Sequence, residues 1–258
     1  MTLSEPGPSR APAGGPDADG FALFLDFDGT LVDLAPRPQD VVVAAGLGQT
    51  LERLRDRCGG ALALVSGRPI AVLDEFLAPH VFDAAGLHGV ETRHAGRLLA
   101  GAGADDPGLR DVAERLSAFA KRHPGLLLED KGRSVALHWR LAPELEDEAV
   151  AQAGAAMERL GPGWRIQTGK SVLEILPAFA SKAGAVRAFL DMDPFRGRRP
   201  VFVGDDVTDE HGFQAVLELG GLAIRIGDGP TIAPFRLPSP TAFRERLTRW
   251  AEGAPIEV

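Results

Sequence analysis

The sequence contains no tyrosine, one cysteine, and only four lysines among its 28 basic residues. A lone Cys58 cannot form an intramolecular disulfide, which excludes a stapled secreted domain and points to a cytoplasmic enzyme. No apolar run approaches the ~20 residues of a membrane span, so no membrane partner is expected. Positive charge is also in deficit: 28 Lys+Arg against 36 Asp+Glu gives a net charge of −8, which argues against a nucleic-acid partner. Ala, Gly and Pro are plentiful and Arg replaces Lys almost everywhere. A surviving lysine (Lys121, Lys131, Lys170, Lys182) therefore marks either chance or a place that needs an ammonium. What is present, 45% hydrophobic and 25% charged residues over 258 positions, describes an ordinary globular chain of one large or two smaller domains.

Residues 1–19 are Pro-, Gly- and Ala-rich without apolar periodicity and read as a disordered tail, not as a signal peptide. Short continuous apolar runs at 21–25, 61–65, 81–85 and 200–203, with a further strand at 222–226, alternate with helical stretches at 46–57, 69–77, 181–191, 207–219 and 241–251. Such runs suit strands buried on both faces of a parallel sheet joined by right-handed crossovers. Between them the pattern changes. A helix at 108–123, strands at 126–128 and 134–138, a helix at 143–160 and strands at 164–168 and 172–176 make a compact, mostly antiparallel insert. The expected fold is α/β: a Rossmann-like core from 20–103 and 178–258, split by a small α/β domain at 104–177.

Ligands of open α/β sheets bind beyond the carboxyl ends of the strands. Three such ends are polar: Asp26-Phe-Asp28-Gly-Thr30, Ser66-Gly67-Arg68, and Asp205/Asp206/Asp209. Lys182 opens the helix before the last of them. The i, i+2 spacing turns Asp26 and Asp28 to one side while Phe27 faces the core. Taken alone, Asp-x-Asp also reads as a turn or a calcium-like loop. Carboxylates gathered beside Asp205 and Asp206 repel unless a cation lies among them, and hard oxygen donors with few committed side chains suit Mg²⁺. Phosphoryl transfer follows by role: one carboxylate attacks phosphorus, its neighbour handles the proton, and Ser66 and Lys182 hold phosphate oxygens.

This ordered set resembles the motifs of the haloacid dehalogenase superfamily over roughly 20–100 and 179–250. The resemblance implies that Asp26 is the nucleophile and Asp28 the general acid/base. It further implies that Mg²⁺ is held by the Asp26 carboxylate, the Asp28 backbone carbonyl and Asp205, with Asp206 and Asp209 supporting. Closer wording resembles the trehalose-6-phosphate phosphatases: Gly204-Asp-Asp-Val-Thr-Asp-Glu210, Gly86-Leu-His-Gly89 with Glu91, Glu129-Asp-Lys131 with His138-Trp-Arg140, and Gly169-Lys170-Ser-Val-Leu-Glu174. That likeness implies that the insert is a cap domain closing over a sugar phosphate. It places Thr30, Ser66, Gly67, Arg68, His88, Glu129, Lys131, His138, Arg140 and Glu174 on the substrate.

Other readings stay open at this point. His88 in its Gly-rich loop reads equally as a backbone cap or as a substrate or hinge residue, and His138 equally as a core histidine. Trp139 is expected in the core of the insert. Where the superfamily often has Asn before its motif lysine and Gly after it, this chain has Ser181-Lys182-Ala183, and Ser181 can still cap the helix. The expected protein is a monomeric, stand-alone phosphatase. The alternatives are sucrose 6-phosphate or a mannosylglycerate phosphate as substrate, a phosphosugar mutase, or a binding module on a retired phosphatase fold. Connections near 100–106 and 176–181 are expected to hinge the cap.

Overall fold

The computed structural model describes residues 18–99 and 106–257. The tail reading for 1–17 and most of the first expected hinge lie outside the described residues. Ala18–Gly20 is a turn of 3-10 helix with Ala18 buried.

The chain then builds β1 (Phe21–Leu25), α1 (Leu47–Arg57), β2 (Leu62–Val65), α2 (Ile70–Leu77) and β3 (Asp83–Gly86). Two short strands follow, β4 (Glu91–His94) and β5 (Arg97–Leu99). After α3 (Pro107–Arg122), β6 (Leu127–Asp130), β7 (Val135–His138), α4 (Glu146–Met157), β8 (Trp164–Gly169) and β9 (Val172–Pro177), the first pattern resumes. It runs through α5 (Lys182–Leu190), β10 (Arg199–Gly204), α6 (Glu210–Glu218), β11 (Leu222–Ile226), β12 (Phe235–Leu237) and α7 (Pro240–Ala251).

The large sheet has the order β12-β11-β10-β1-β2-β3-β4-β5, parallel from β12 to β3 and antiparallel at the β4 and β5 edge. Every residue of β1 is buried, as a central strand covered on both faces requires. Leu23, Leu25 and Val203 pack on one face with α1 and α7, while Phe24, Phe202, Phe189 and Phe213 fill the other against α5 and α6. The Rossmann-like expectation therefore holds. The hairpin β4–β5 and the edge strand β12 were not expected, and the helices expected at 143–160 and 207–219 each start as a 3-10 turn before becoming α-helical.

The second sheet, β6-β7-β9-β8, is antiparallel throughout. Its pleat divides the side chains cleanly. Val135, Leu137, Leu173, Ile175 and Ile166 face α3 and α4 in one apolar cluster that also takes Trp139, which is 1% exposed. The alternate residues point the other way. Glu129, Ala136, Glu174 and Gln167 stand in one cross-strand row on that opposite face. Asp106 caps α3 and Ser181 caps α5 through side-chain oxygens.

Cys58 ends α1, fully buried, and burial pushes its thiol up to about 12, with Arg198 and Arg57 opposing. The thiolate is the reactive form, so a thiol reagent at pH 8 is expected to label Cys58 only after unfolding. Rapid stoichiometric labelling of the folded protein would contradict this packing.

Candidate active site

The three polar strand ends converge. β1 delivers Asp26 and Asp28, β2 delivers Ser66 and Arg68, and β10 delivers Asp205 and Asp206. Lys182 enters from the first residue of α5. Its ammonium donates to Asp26 Oδ1 at 2.7 Å and to Asp209 Oδ1 at 2.6 Å, and it is 3% exposed. Burial works against that charge, but Asp209 and Asp26 more than offset it and hold Lys182 protonated above its ordinary range. Burial raises Asp26 well above the usual carboxylate range, with Asp209 and Asp205 adding and Lys182 opposing. Burial, followed by Asp209 and Asp206, pushes Asp205 up to about 7.

Carboxylate oxygens of Asp26, Asp205 and Asp209 lie within 4.8 Å of one another. Three carboxyl groups face one ammonium in a poorly solvated pocket, the raised Asp26 and Asp205 mark their mutual repulsion, and the donors are hard oxygens. This set fits a divalent cation of the Mg²⁺ type. The oxygens are not equally available. Asp209 Oδ2 accepts from the Asp205 and Asp206 main-chain N–H groups at 3.0 and 2.9 Å, closing a capping box with Asp206, and its Oδ1 takes Lys182. Asp205 comes so close to the main chain at Gly29 that a Cβ there would lie 2.1 Å from its Oδ2. With φ at +76°, this position requires glycine on both counts.

Two expected substrate contacts are differently engaged. Thr30 is fully buried beneath Asp26 and gives its hydroxyl to Asp26 Oδ2 at 3.1 Å, so it orients that carboxylate and does not line the cleft. Arg68 grips Asp28 in a two-point fork, Nε to Oδ2 at 2.6 Å and Nη2 to Oδ1 at 2.7 Å. It also donates to Pro38 O and lies 4.9 Å above the Phe76 ring. Ser66 Oγ accepts from Arg68 N–H at 3.1 Å and keeps its own hydrogen to donate.

The polar face of the second sheet closes the cleft from above. Lys131 Nζ reaches across to Gly67 O at 2.9 Å and to Glu174 Oε2 at 3.1 Å, and Ser134 donates to Glu174 Oε1 at 2.5 Å. Burial works against the Glu174 carboxylate, yet Lys131, His88 and Ser134 hold it far below the usual range. His138 Nε2 meets Glu129 at 3.0 Å, and Arg140 donates to Ala35 O at 2.7 Å. His88, with φ of +56°, sits at the junction of the two sheets, 3.3 Å from Glu174. It is buried in the cleft wall. Glu91, by contrast, accepts from Ile70 N–H and serves the start of α2.

One cleft is thus lined by Asp26, Asp28, Ser66, Gly67, Arg68 and Lys182 below and by Glu129, Lys131, His138, Arg140 and Glu174 above. Sequence reasoning missed the loop 34–41, whose Leu34, Pro36 and Pro38 form an apolar wall; Lys170 and Thr208, which stand in two of the quoted motifs without an assigned contact, also line the cleft. The 34–41 stretch, with two prolines, one arginine and no apolar periodicity, carries no local signal, and its place beside the strand ends is a tertiary fact.

An open parallel sheet with carboxylates and a lysine at its strand ends, interrupted by a smaller sheet that covers them, is a fold this chain shares with a phosphatase of the haloalkanoate (HAD) superfamily. That phosphatase, from Bacteroides thetaiotaomicron, superposes with a TM-score of 0.60 at 16% identity, covering 93% of this chain and 99% of that one. The C-terminal domain of the trehalose-6-phosphate phosphatase of C. albicans shares the fold more closely, with a TM-score of 0.77 at 21% identity over 91% and 92% of the two chains. Residues 24–241 match the trehalose-phosphatase family model. The chain is 48% identical over 212 residues to a probable trehalose-phosphate phosphatase of Sinorhizobium fredii, covering 82% of this chain and 79% of that protein. It is 42% identical over 217 residues to the trehalose-6-phosphate phosphatase of Escherichia coli, covering 84% and 81%. The chain belongs to the trehalose-phosphatase family, and so to the phosphoric monoester hydrolases.

Proposed function

We propose that the protein hydrolyses trehalose 6-phosphate to trehalose and phosphate through an aspartyl phosphate on Asp26. The observation that carries this reading is the facing of two sets of side chains across one cleft: Asp26, Lys182 and Asp205 on the core, and Glu129, Lys131 and Glu174 on the second sheet. In this reading 20–103 and 178–258 are the phosphatase core and 104–177 the cap.

Asp26 attacks phosphorus, forming its P–O bond as the ester bond to the sugar oxygen breaks. Asp28 gives that oxygen a proton, then takes one from the water that attacks the aspartyl phosphate, releasing phosphate and restoring Asp26. In the substrate-free chain the Arg68 fork occupies both Asp28 oxygens and suits the ionised carboxylate, so Asp28 leaves that fork and takes up a solvent proton before it acts as the acid. Lys182 and the Ser66 hydroxyl bind phosphoryl oxygens. Asp26 and Asp205 would hold Mg²⁺ by their carboxylates and Asp28 by its main-chain oxygen, while Asp209, already accepting three hydrogen bonds, keeps Lys182 and the 205–206 turn in place. Bound Mg²⁺ would supply Lewis-acid polarisation of the phosphoryl oxygens. Glu129, Glu174 and Lys131 accept from and donate to sugar hydroxyls, with His138, Arg140, Gly67 and His88 completing the wall.

Phosphate release from trehalose 6-phosphate is expected to require Mg²⁺, to stop with EDTA, and to be blocked by beryllium fluoride, which mimics the phosphoryl group on Asp26. Full turnover in EDTA, or indifference to beryllium fluoride, would overturn this mechanism.

A further inference from the structure

Residues 35–38 border the cleft as a short strap tied at both ends. At one end Arg140, just past β7, donates to Ala35 O at 2.7 Å. At the other, Arg68 Nη2 donates to Pro38 O at 2.9 Å and, from the same nitrogen, to Asp28 Oδ1 at 2.7 Å. Pro36 and Pro38 stiffen what lies between. A residue before proline is confined to extended backbone, and Arg37 has φ of −126° and ψ of 147°. The strap therefore presents Arg37, an exposed residue, at a set place on the cleft wall. Most other cations of the cleft are engaged: Lys182 with Asp26 and Asp209, Arg68 with Asp28, Lys131 with Glu174, and Arg140 with main-chain oxygens. Arg37 and Lys170 have no hydrogen bond or ion pair among the described residues, and Lys170 also borders a neighbouring hollow beside Gly227 and Asp228. A guanidinium carries five N–H donors and no acceptor, so Arg37 brings a full, unused donor set to the cleft.

We infer that Arg37 is a specificity residue that donates to hydroxyls of the sugar, so that the core as well as the second sheet selects the substrate; this rests on the functional reading above. The ties of the strap decide which part of the substrate Arg37 meets. Asp28 is the group assigned to the sugar ester oxygen, and Pro38 O is bound one guanidinium nitrogen away from it. Arg140, the other tie, belongs to the wall assigned to the sugar. Both ends of the strap are thus held where the leaving sugar lies, and neither by a group assigned to the phosphoryl oxygens. The planar fork of Arg37 can span two neighbouring hydroxyls, which the point charge of a lysine fits less well. The proline-restricted backbone lowers the ordering cost of making that contact.

The test compares Arg37→Gln and Arg37→Lys with the unsubstituted full chain under Mg²⁺, on trehalose 6-phosphate and on a small aryl phosphate that offers no hydroxyls. For Arg37→Gln the KM for trehalose 6-phosphate is expected to rise about ten-fold, the lower end for a hydrogen bond from a charged group. The kcat, and kcat/KM on the aryl phosphate, should each stay within about two-fold. Arg37→Lys should recover part of the loss. In an Asp26→Asn background, where turnover does not intervene, the Kd of trehalose 6-phosphate should rise by the same factor. Arg37 is exposed, so the melting temperature should move by no more than about 2 °C. An unchanged KM and Kd, a loss shared equally by the aryl phosphate, or a fall in kcat at constant KM would overturn the inference. A chain that hydrolyses sucrose 6-phosphate or glucose 6-phosphate and spares trehalose 6-phosphate would defeat the functional reading, and the same KM split on that sugar phosphate then judges Arg37. A chain that hydrolyses none of the three defeats both.

Discussion

Lys182→Met is expected to lower folding stability by about 3–5 kcal/mol, the cost of breaking a buried ion pair from one side. The ammonium is 3% exposed and is shared by Asp26 and Asp209, both buried. Methionine fills the stem's volume but leaves those carboxylates facing each other and Asp205. At about 2–4 °C per kcal/mol for a chain of this size, the melting temperature should fall by about 6–20 °C. The rate should fall with it, by about 10²–10³-fold, because charge developing on the phosphoryl oxygens loses its counter-charge. A calorimetric scan within 2 °C of the unsubstituted protein would show that the ammonium does not hold the site together.

Asp26→Asn should separate activity from stability. Removing one of three crowded carboxylates relieves repulsion, so the melting temperature should hold or rise, as commonly happens when a functional group is deleted from a strained site. Activity should nevertheless fall by about 10⁴-fold or more, since an amide cannot form the covalent intermediate. Phosphate release and a thermal melt on the same sample decide it. Residual turnover above about 1% would place the nucleophile elsewhere.

Much of this was legible because the informative side chains sit at ends of strongly apolar strands. The run Phe21–Leu25 can only be a buried strand, and the pleat then sets Asp26 and Asp28 on one side. The row Glu129–Ala136–Glu174–Gln167 follows from the same period-two logic. The hairpin Glu91–Leu99 escaped notice because its strands are three and four residues long, with charged or exposed faces that give no apolar signal. Phe235–Leu237 is short for the same reason. The engagement of Arg68 with Asp28, 40 residues away in sequence, was beyond reach. An Arg after Ser-Gly at a strand end suggests an anion, and only the folded chain shows that its anion is a neighbouring carboxylate. Thr30 likewise reads as an anion donor until the turn at Gly29 directs it beneath Asp26.

The most direct measurement of the central claim compares phosphate release from trehalose 6-phosphate, sucrose 6-phosphate and glucose 6-phosphate under Mg²⁺, before and after Glu129→Gln and Glu174→Gln. A preference for trehalose 6-phosphate of about ten-fold or more, or about 1.4 kcal/mol, that collapses in the two variants while a small aryl phosphate is still turned over, is the predicted result. Equal turnover of all three sugars, or equal loss on sugar and aryl phosphates, would contradict the assignment of Glu129 and Glu174 to the sugar.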